Sequence, residues 1–221
     1  MRAAIYYTPE QDGDLARNAA DWLGRDPFRK EGVGEEHRFS SQVQSPARYG
    51  FHATLKAPFR LKDDASIDDL RLFFREFAAR TSGLTIPSLV LQRIGRFFAL
   101  VPAQRVPELD ALAAKVVEAF EPFRAPLTPS DRARRNPDAL SDRQRELLDT
   151  WGYPYVMDEF RFHMTLTGPV TGAQADEIET ELQTRFASHL GNPHPIAALA
   201  LFVEPEEGGP FFVDSYSRLG T

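Results

Sequence analysis

The chain has 221 residues, of which 42% are hydrophobic and 26% charged, so it is long and apolar enough for one folded domain with a sizeable core, and intrinsic disorder is excluded as its main state. It contains no cysteine, which excludes disulfide scaffolds, zinc–thiolate sites, iron–sulfur clusters and thiol nucleophiles. The net charge of −6 disfavours long nucleic acid as a partner and leaves a small anionic ligand in a locally basic cleft open.

The first elements are a short strand, a helix and a long connection. The segment "AAIYYT" predicts a strand, and a helix from about Asp14 to Leu23 stops at Gly24. Residues 25–48 have no sustained period and predict an irregular connection. The N-terminus turns polar early, and no apolar run approaches the roughly 18 residues of a membrane span. We therefore expect a cytoplasmic protein that does not bind membranes.

A strand, a helix and a hairpin follow. "YGFHATLKAPF" alternates like a half-buried strand, Ser66 begins a helix, and "LTIPSLVLQRI" and "RFFALVP" predict a hairpin around Gly95. The next helix carries an apolar stripe from Leu109 to Phe120. A Pro- and Arg-rich segment and a short helix, with a capping box at Ser141 and Gln144, complete an insert of about residues 122–150.

The order of the first half then recurs. "FRFHMTLTGPV" predicts a strand, about 173–187 a helix, and "IAALALFVEP" with "PFFVDSYSRL" a closing hairpin. "FHATLKAPF" and "FHMTLTGPV" are identical at five of nine positions. The sequence therefore predicts an α+β fold, duplicated and bilobal, in a single domain of residues 1–221. Its units of about 49–101 and 160–218 form two antiparallel sheets with outer helices, related by a pseudo-twofold axis with a cleft between the lobes.

The motif His-x-Thr occurs once in each unit, at His52 and Thr54 and again at His163 and Thr165. Side chains two apart on a strand share a face, so both pairs are predicted to line the cleft. Two imidazoles that can differ in protonation near neutral pH suit a reaction that removes one proton and delivers another. Phosphodiester cleavage with no metal and no cofactor matches this set directly.

The same parity places two cations beside the histidines. Lys56 shares the face of Thr54, and Arg161 shares that of His163, so both are predicted to bind phosphoryl oxygens. Tyr49 is assigned to substrate binding with them. The remaining histidines, His37, His189 and His194, are interpreted as solvated surface residues. Among the arginines at 124, 132, 134 and 135, a lid over an anion and a solvated loop are both open, and the solvated loop is favoured.

A lone His-x-Thr is most often a surface or core histidine, but the repeated Phe, Leu and Pro around both motifs make coincidence improbable. With "RYGFHATLKAPF", "GRFFALVP" and "YPYVMDEFRFHMTLTGP", the chain resembles the two-histidine phosphoesterase superfamily, and in particular a bacterial branch of unknown activity assigned to phosphonate metabolism.

The resemblance implies that His52 and His163 are the catalytic pair, that Thr54 and Thr165 bind phosphate, and that a small cyclic phosphodiester of a sugar or nucleotide is hydrolysed. The long insert departs from the simpler relatives. A non-catalytic binding protein for a phosphorylated or phosphonylated metabolite is the alternative, and a purely structural duplication is a third. The sequence does not define the oligomeric state.

Overall fold

A computed structural model describes residues 1–29 and 37–220. These residues form seven helices, which are α1 (Asp14–Leu23), α2 (Ser40–Ala47), α3 (Ile67–Ala79), α4 (Pro107–Phe120), α5 (Pro129–Ala133), α6 (Asp142–Trp151) and α7 (Ala173–Arg185). They also form nine strands, which are β1 (Arg2–Tyr7), β2 (Ala53–Phe59), β3 (Leu84–Ile86), β4 (Leu89–Ile94), β5 (Phe97–Pro102), β6 (Met164–Thr165), β7 (His194–Ile196), β8 (Ala198–Glu204) and β9 (Phe212–Arg218). No helix among the described residues has the length and apolar character needed to cross a bilayer.

The predicted α+β class with two antiparallel sheets is confirmed. The larger sheet has seven strands in the order β4-β5-β6-β2-β1-β8-β9, and the smaller pairs β3 with β7. Each half does not keep a sheet of its own, because Ala53 of β2 pairs with Met164 of β6 and joins the halves into one sheet. Both motifs therefore lie at the centre of the larger sheet.

The order of the larger sheet reveals the repeat. Without the edge strand β9, the remaining six strands form the same order from either end if β1 is matched to β5, β2 to β6, and β4 to β8. The element order agrees, since β1-α1-α2-β2-α3-β3-β4 parallels β5-α4-α5-α6-β6-α7-β7-β8, with β9 added at the edge. This frame starts earlier than the predicted units at 49–101 and 160–218, and it matches the 122–150 insert to the segment that holds α2.

Two predicted segments differ from the structure. The connection 25–48 contains α2, while its residues 30–36 lie outside the described part of the chain. The strand predicted from "FRFHMTLTGPV" shrinks to the two residues of β6, and residues 160–163 before it are not strand. Pro87 ends β3 early, so β3 leaves the hairpin of β4 and β5 and pairs with β7 instead.

Helices α1, α3, α4 and α7 pack on one face of the larger sheet. Alternate residues of β1, namely Ala3, Ile5 and Tyr7, pack in one core with apolar residues of α1, α3, α4 and α7. The intervening residues Ala4 and Tyr6 pack on the other face with Phe202 and Phe211. A cavity lies on this second face, and residues of α2, α5 and α6 form part of its wall.

Candidate active site

The cavity has a volume of about 770 Å³ and crosses the line where the two halves meet. Both motif pairs line it, namely His52, Thr54, His163 and Thr165, and so does Tyr49. Of the predicted site residues, the structure therefore brings these five and Lys56 to one space. Its volume lies in the usual range for small-molecule sites.

The two histidines are held in the same way. His52 Nδ1–H donates to the carbonyl of Gly50 at 2.8 Å, and His163 Nδ1–H donates to the carbonyl of Arg161, also at 2.8 Å. A carbonyl can only accept, so Nδ1 carries the proton and Nε2 is the nitrogen left for a ligand in both rings. The Thr54 hydroxyl, 3.3 Å from His52 Nε2, can donate to it.

The backbone at position 50 requires a glycine. Its φ of +73° suits glycine, and a Cβ there would lie 2.6 Å from Cβ of Pro27. The carbonyl that anchors His52 therefore depends on a residue that the motif analysis did not single out. The only sequence signal for it is a glycine two residues before the histidine.

The two rings lie in different surroundings. Tyr6 stacks on His52 with 4.0 Å between ring centroids and an interplanar angle of 25°. His163 meets Phe97 at 5.9 Å in a tilted arrangement. Burial lowers the pKa of His52 to about 4, the Gly50 carbonyl opposes that shift, and the charge of His163 adds to it. His52 is therefore neutral at pH 7 in the free protein.

Lys56 lines the cavity, but its charge is already paired. Its ammonium donates to the carbonyl of Val117 at 2.9 Å and to Glu121 at 2.8 Å, and the side chain is buried. The pairing register shifts between Tyr6↔Thr54 and Ile5↔Lys56. Lys56 nevertheless lines the same cavity as Thr54, as strand parity predicted, but its ammonium is held by Val117 and Glu121.

Arg161 does not line the cavity. It is exposed and precedes β6 in a segment that is not strand, so strand parity does not apply to it. Its contribution to the described site is the backbone carbonyl that binds His163.

Most of the basic residues of the cavity are ones that the motifs did not identify. Seven cationic side chains and two carboxylates line it: Arg2, Arg48, Lys56, Arg60, Arg124, Arg134 and Arg135, with Asp131 and Glu207. Most of these cations bind a carboxylate, such as Arg2 and Arg48 on the fully buried Glu204. The wall has an excess of positive charge and suits an anion.

The arginine-rich segment is therefore not simply a solvated loop, the interpretation that the sequence favoured. Arg124, Arg134 and Arg135 line the cavity, whereas Arg132 pairs with Asp149 away from it. Arg135 lies over the ring of Tyr153 at 4.9 Å and has no carboxylate within 4.0 Å among the described residues.

The other histidines are not simply solvated. Each is half-buried and has a hydrogen-bond partner: His37 Nε2 on the carbonyl of Trp22, His189 on Asn18, and His194 on the Tyr7 hydroxyl at 2.6 Å. None of them lines the cavity of the two motifs. Across the described residues, no group of three or more His, Cys, Asp or Glu is placed to hold a metal ion.

A family model described as "Protein of unknown function (DUF1045)" matches residues 54–212. The chain belongs to the DUF1045 family. This agrees with the branch of unknown activity predicted from the sequence. The match includes Thr54 and the whole second motif and ends within β9.

Two curated relatives carry the name "Ribose 1,5-bisphosphate phosphokinase PhnN". One, from Janthinobacterium sp. (strain Marseille), is 37% identical over 95% of this chain and 49% of its own length. The other, from Laribacter hongkongensis (strain HLHK9), is 35% identical over 96% of this chain and 50% of its own. The DUF1045 chain thus spans about half the length of the curated relatives it matches.

Solved structures with similarity to this chain include TT0787 of Thermus thermophilus, with 16% identity and a TM-score of 0.49 over 99% of this chain and 98% of that one. E. coli LigT complexed with 3′-AMP has 11% identity and a TM-score of 0.44 over 100% of this chain and 98% of its own.

Proposed function

We propose that this DUF1045 protein is a phosphoesterase that hydrolyses a small cyclic phosphodiester with His52 and His163 as a base and acid pair. The observation that carries the proposal is the matched placement of the two rings. Each is fixed through Nδ1 by a carbonyl two residues earlier, and both line one cavity whose wall carries excess positive charge. Two oriented proton carriers beside an anion site suit phosphoryl transfer to water.

In this reaction, neutral His52 takes a proton from a water molecule as the water oxygen attacks phosphorus. The bond from phosphorus to one ring oxygen of the ester breaks, and His163 delivers a proton to that oxygen. The products are a phosphomonoester and a free hydroxyl. The threonine hydroxyls of both motifs donate to the non-bridging oxygens. Bound anionic substrate favours the imidazolium and so raises the pKa of His52 from about 4 toward the working pH.

The proposed substrate is a sugar or nucleotide cyclic phosphate, with a role in phosphonate metabolism. A cavity of about 770 Å³ suits a ligand of that size. The curated relatives are named as kinases of a phosphorylated ribose, yet this chain has no Gly-x-x-x-x-Gly-Lys-Ser/Thr phosphate loop. We assign the kinase activity to the half of the relatives that this chain does not match. Because the relatives join that kinase half to a half similar to this chain, we favour a sugar phosphate as the substrate of this chain as well.

The test is turnover of a panel of cyclic nucleotides and ribose cyclic phosphates in EDTA, followed by phosphorus NMR. We expect full activity in EDTA. We also expect a loss in kcat of about 10²- to 10⁴-fold in His52→Ala and in His163→Ala, because each removes one proton-transfer group. His189→Ala, which changes a histidine outside the cavity, is the matched control.

Full activity in the double variant would contradict the mechanism, and loss in EDTA would indicate a metal enzyme. Tight binding of a panel member with no turnover in the wild type would favour the binding-protein alternative.

A further inference from the structure

The aromatic residue stacked on His52 has no equal in the other half of the duplicated sheet. In β1 and β2, Tyr6 lies directly opposite Thr54. In the matching strands β5 and β6, Ala99 lies opposite Thr165. One half thus carries a phenol ring next to its motif where the other carries a methyl group.

We infer that Tyr6 is a positioning residue that makes His52 the base of the pair, because its ring covers one face of the imidazole and keeps water from it. This inference rests on the proposed function. It explains how two motifs that arose as copies can take different roles in one reaction.

The contact geometry supports shielding. Tyr6 is 1% exposed, and its centroid lies 4.0 Å from that of His52 at an angle of 25°, so the two rings lie nearly face to face. Phe202 of β8 lies behind it, at 4.9 Å from Tyr6 and 6.0 Å from His52. Burial raises the pKa of Tyr6 well above its ordinary value, so its hydroxyl stays neutral.

The other groups around His52 do not supply a countercharge. The nearby titratable groups are Tyr49, at 5.8 Å between centroids, and His163. Arg2 lies over the ring of Phe211 and Arg48 over that of Tyr49, and both bind Glu204. No carboxylate within the described residues is hydrogen-bonded to the His52 ring. Shielding by Tyr6 and the charge of His163 act in the same direction.

A cation–π attraction between Tyr6 and a protonated His52 acts in the opposite direction. Such contacts contribute about 0.5 to 2 kcal/mol, which corresponds to about 0.4 to 1.5 pKa units. Burial of a histidine shifts its pKa by up to about 3 to 5 units. Shielding is therefore the larger effect. Removal of the ring should make His52 easier to protonate.

The experiment follows the His52 ring by NMR as the pH is lowered, without substrate. Of the five histidines, His52 is assigned through the signal lost in His52→Ala. We expect a midpoint near 4 in the wild type. Tyr6→Phe keeps the ring and should leave the midpoint in place, whereas Tyr6→Ala should raise it by a unit or more, a tenfold or greater gain in proton affinity.

Tyr6→Gln keeps much of the side-chain length and places a polar amide against the imidazole, so it serves where Tyr6→Ala does not fold. An unchanged midpoint in the folded Ala or Gln variant would overturn the inference, as would an equal shift in Tyr6→Phe. In kcat/KM, the acidic limb of the pH profile should move with the NMR midpoint. If the His52 midpoint moves in Tyr6→Ala but the wild type turns over no panel substrate, the proposed function is wrong and the shielding of His52 by Tyr6 is still established.

Discussion

The arginines around the cavity differ in how much of their charge is already used. Arg2 and Arg48 share Glu204, Arg124 binds Glu121, and Arg134 binds both Asp131 and Glu207. Arg135 has only the face of Tyr153 as a partner for its charge among the described residues. Because its hydrogen-bond donors are not committed to a carboxylate, Arg135 is the guanidinium best able to bind a phosphoryl group.

Arg135→Ala should therefore raise KM by about 10- to 100-fold, the equivalent of 1.5 to 3 kcal/mol for a charged hydrogen bond, with a smaller effect on kcat. Steady-state kinetics on the substrate found in the panel measure this. Arg132→Ala is the matched control, because Arg132 lies in the same segment but pairs with Asp149. Equal KM values in wild type and Arg135→Ala would show that this arginine stays out of the substrate site.

At the scale of single residues, the sequence could predict those residues whose types and spacing repeat. Both histidines and both threonines reach one cavity, since the duplication places them at matched positions. Arg161 and Lys56 were inferred from alternation, which fails at 161, where the chain is not strand, but places Lys56 at the cavity as predicted. Alternation could not show that the charge of Lys56 is already bound by Glu121. Tyr6 reaches the site from a distant part of the chain, and no local pattern marks it, whereas Arg135 belongs to the arginine-rich segment for which the sequence leaves a lid over an anion open.

Lys56 ties strand β2 to the end of helix α4. Its ammonium binds the Val117 carbonyl in the last turn of the helix, where the helix dipole favours a cation, and Glu121 just beyond it. Burial lowers the pKa of Lys56, and the hydrogen bond to Glu121 opposes that shift. Removal of the carboxylate would leave a buried cation with a carbonyl alone.

Glu121→Gln should consequently lower the free energy of unfolding by about 1 to 3 kcal/mol, because Lys56 and Arg124 both lose their charged partner. Urea unfolding followed by circular dichroism measures it. Glu118→Gln, on the exposed side of the same helix, should change stability by less than about 0.5 kcal/mol. If both variants unfold at the urea concentration of the wild type, Lys56 does not depend on Glu121.

Helix boundaries were the most predictable elements, because local chemistry sets them. Ser66 caps α3 and Ser141 caps α6 with the expected capping box, while Gly24 and Gly152 end their helices in the left-handed region. The pairing of β3 with β7 was not predictable in this way. It joins segments about 110 residues apart, and only the packing of the two halves brings them together.

At the scale of the whole molecule, one apolar core runs through both halves. Residues of α1 and α3 share it with residues of α4 and α7, under a single sheet. The sequence repeat predicted the α+β class and the duplication. It could not reveal that the two sets of strands merge, because the pairing of Ala53 with Met164 is a contact between the copies rather than within one.

Two half-buried histidines predict how stability depends on pH, namely His52 on the cavity face of the sheet and His194 beside Tyr7. Burial lowers the pKa values of His52 and His194 from 6.5 to about 4, and the charges of neighbouring His163 and His189 add to the respective shifts. The unfolded chain therefore binds more protons, and stability that is fully present above pH 6.5 is lost as the pH falls toward 4. At 1.36 kcal/mol per pKa unit, and allowing for the partly open cavity, we expect a loss of about 2 to 3 kcal/mol per histidine.

Urea unfolding between pH 7 and 4.5 should show this loss in the wild type. In a double variant, His52→Gln with His194→Gln, most of this dependence of stability on pH should disappear. A wild-type stability that stays flat from pH 6.5 to 4.5 would mean that both rings accept protons in the folded state as readily as in the unfolded chain.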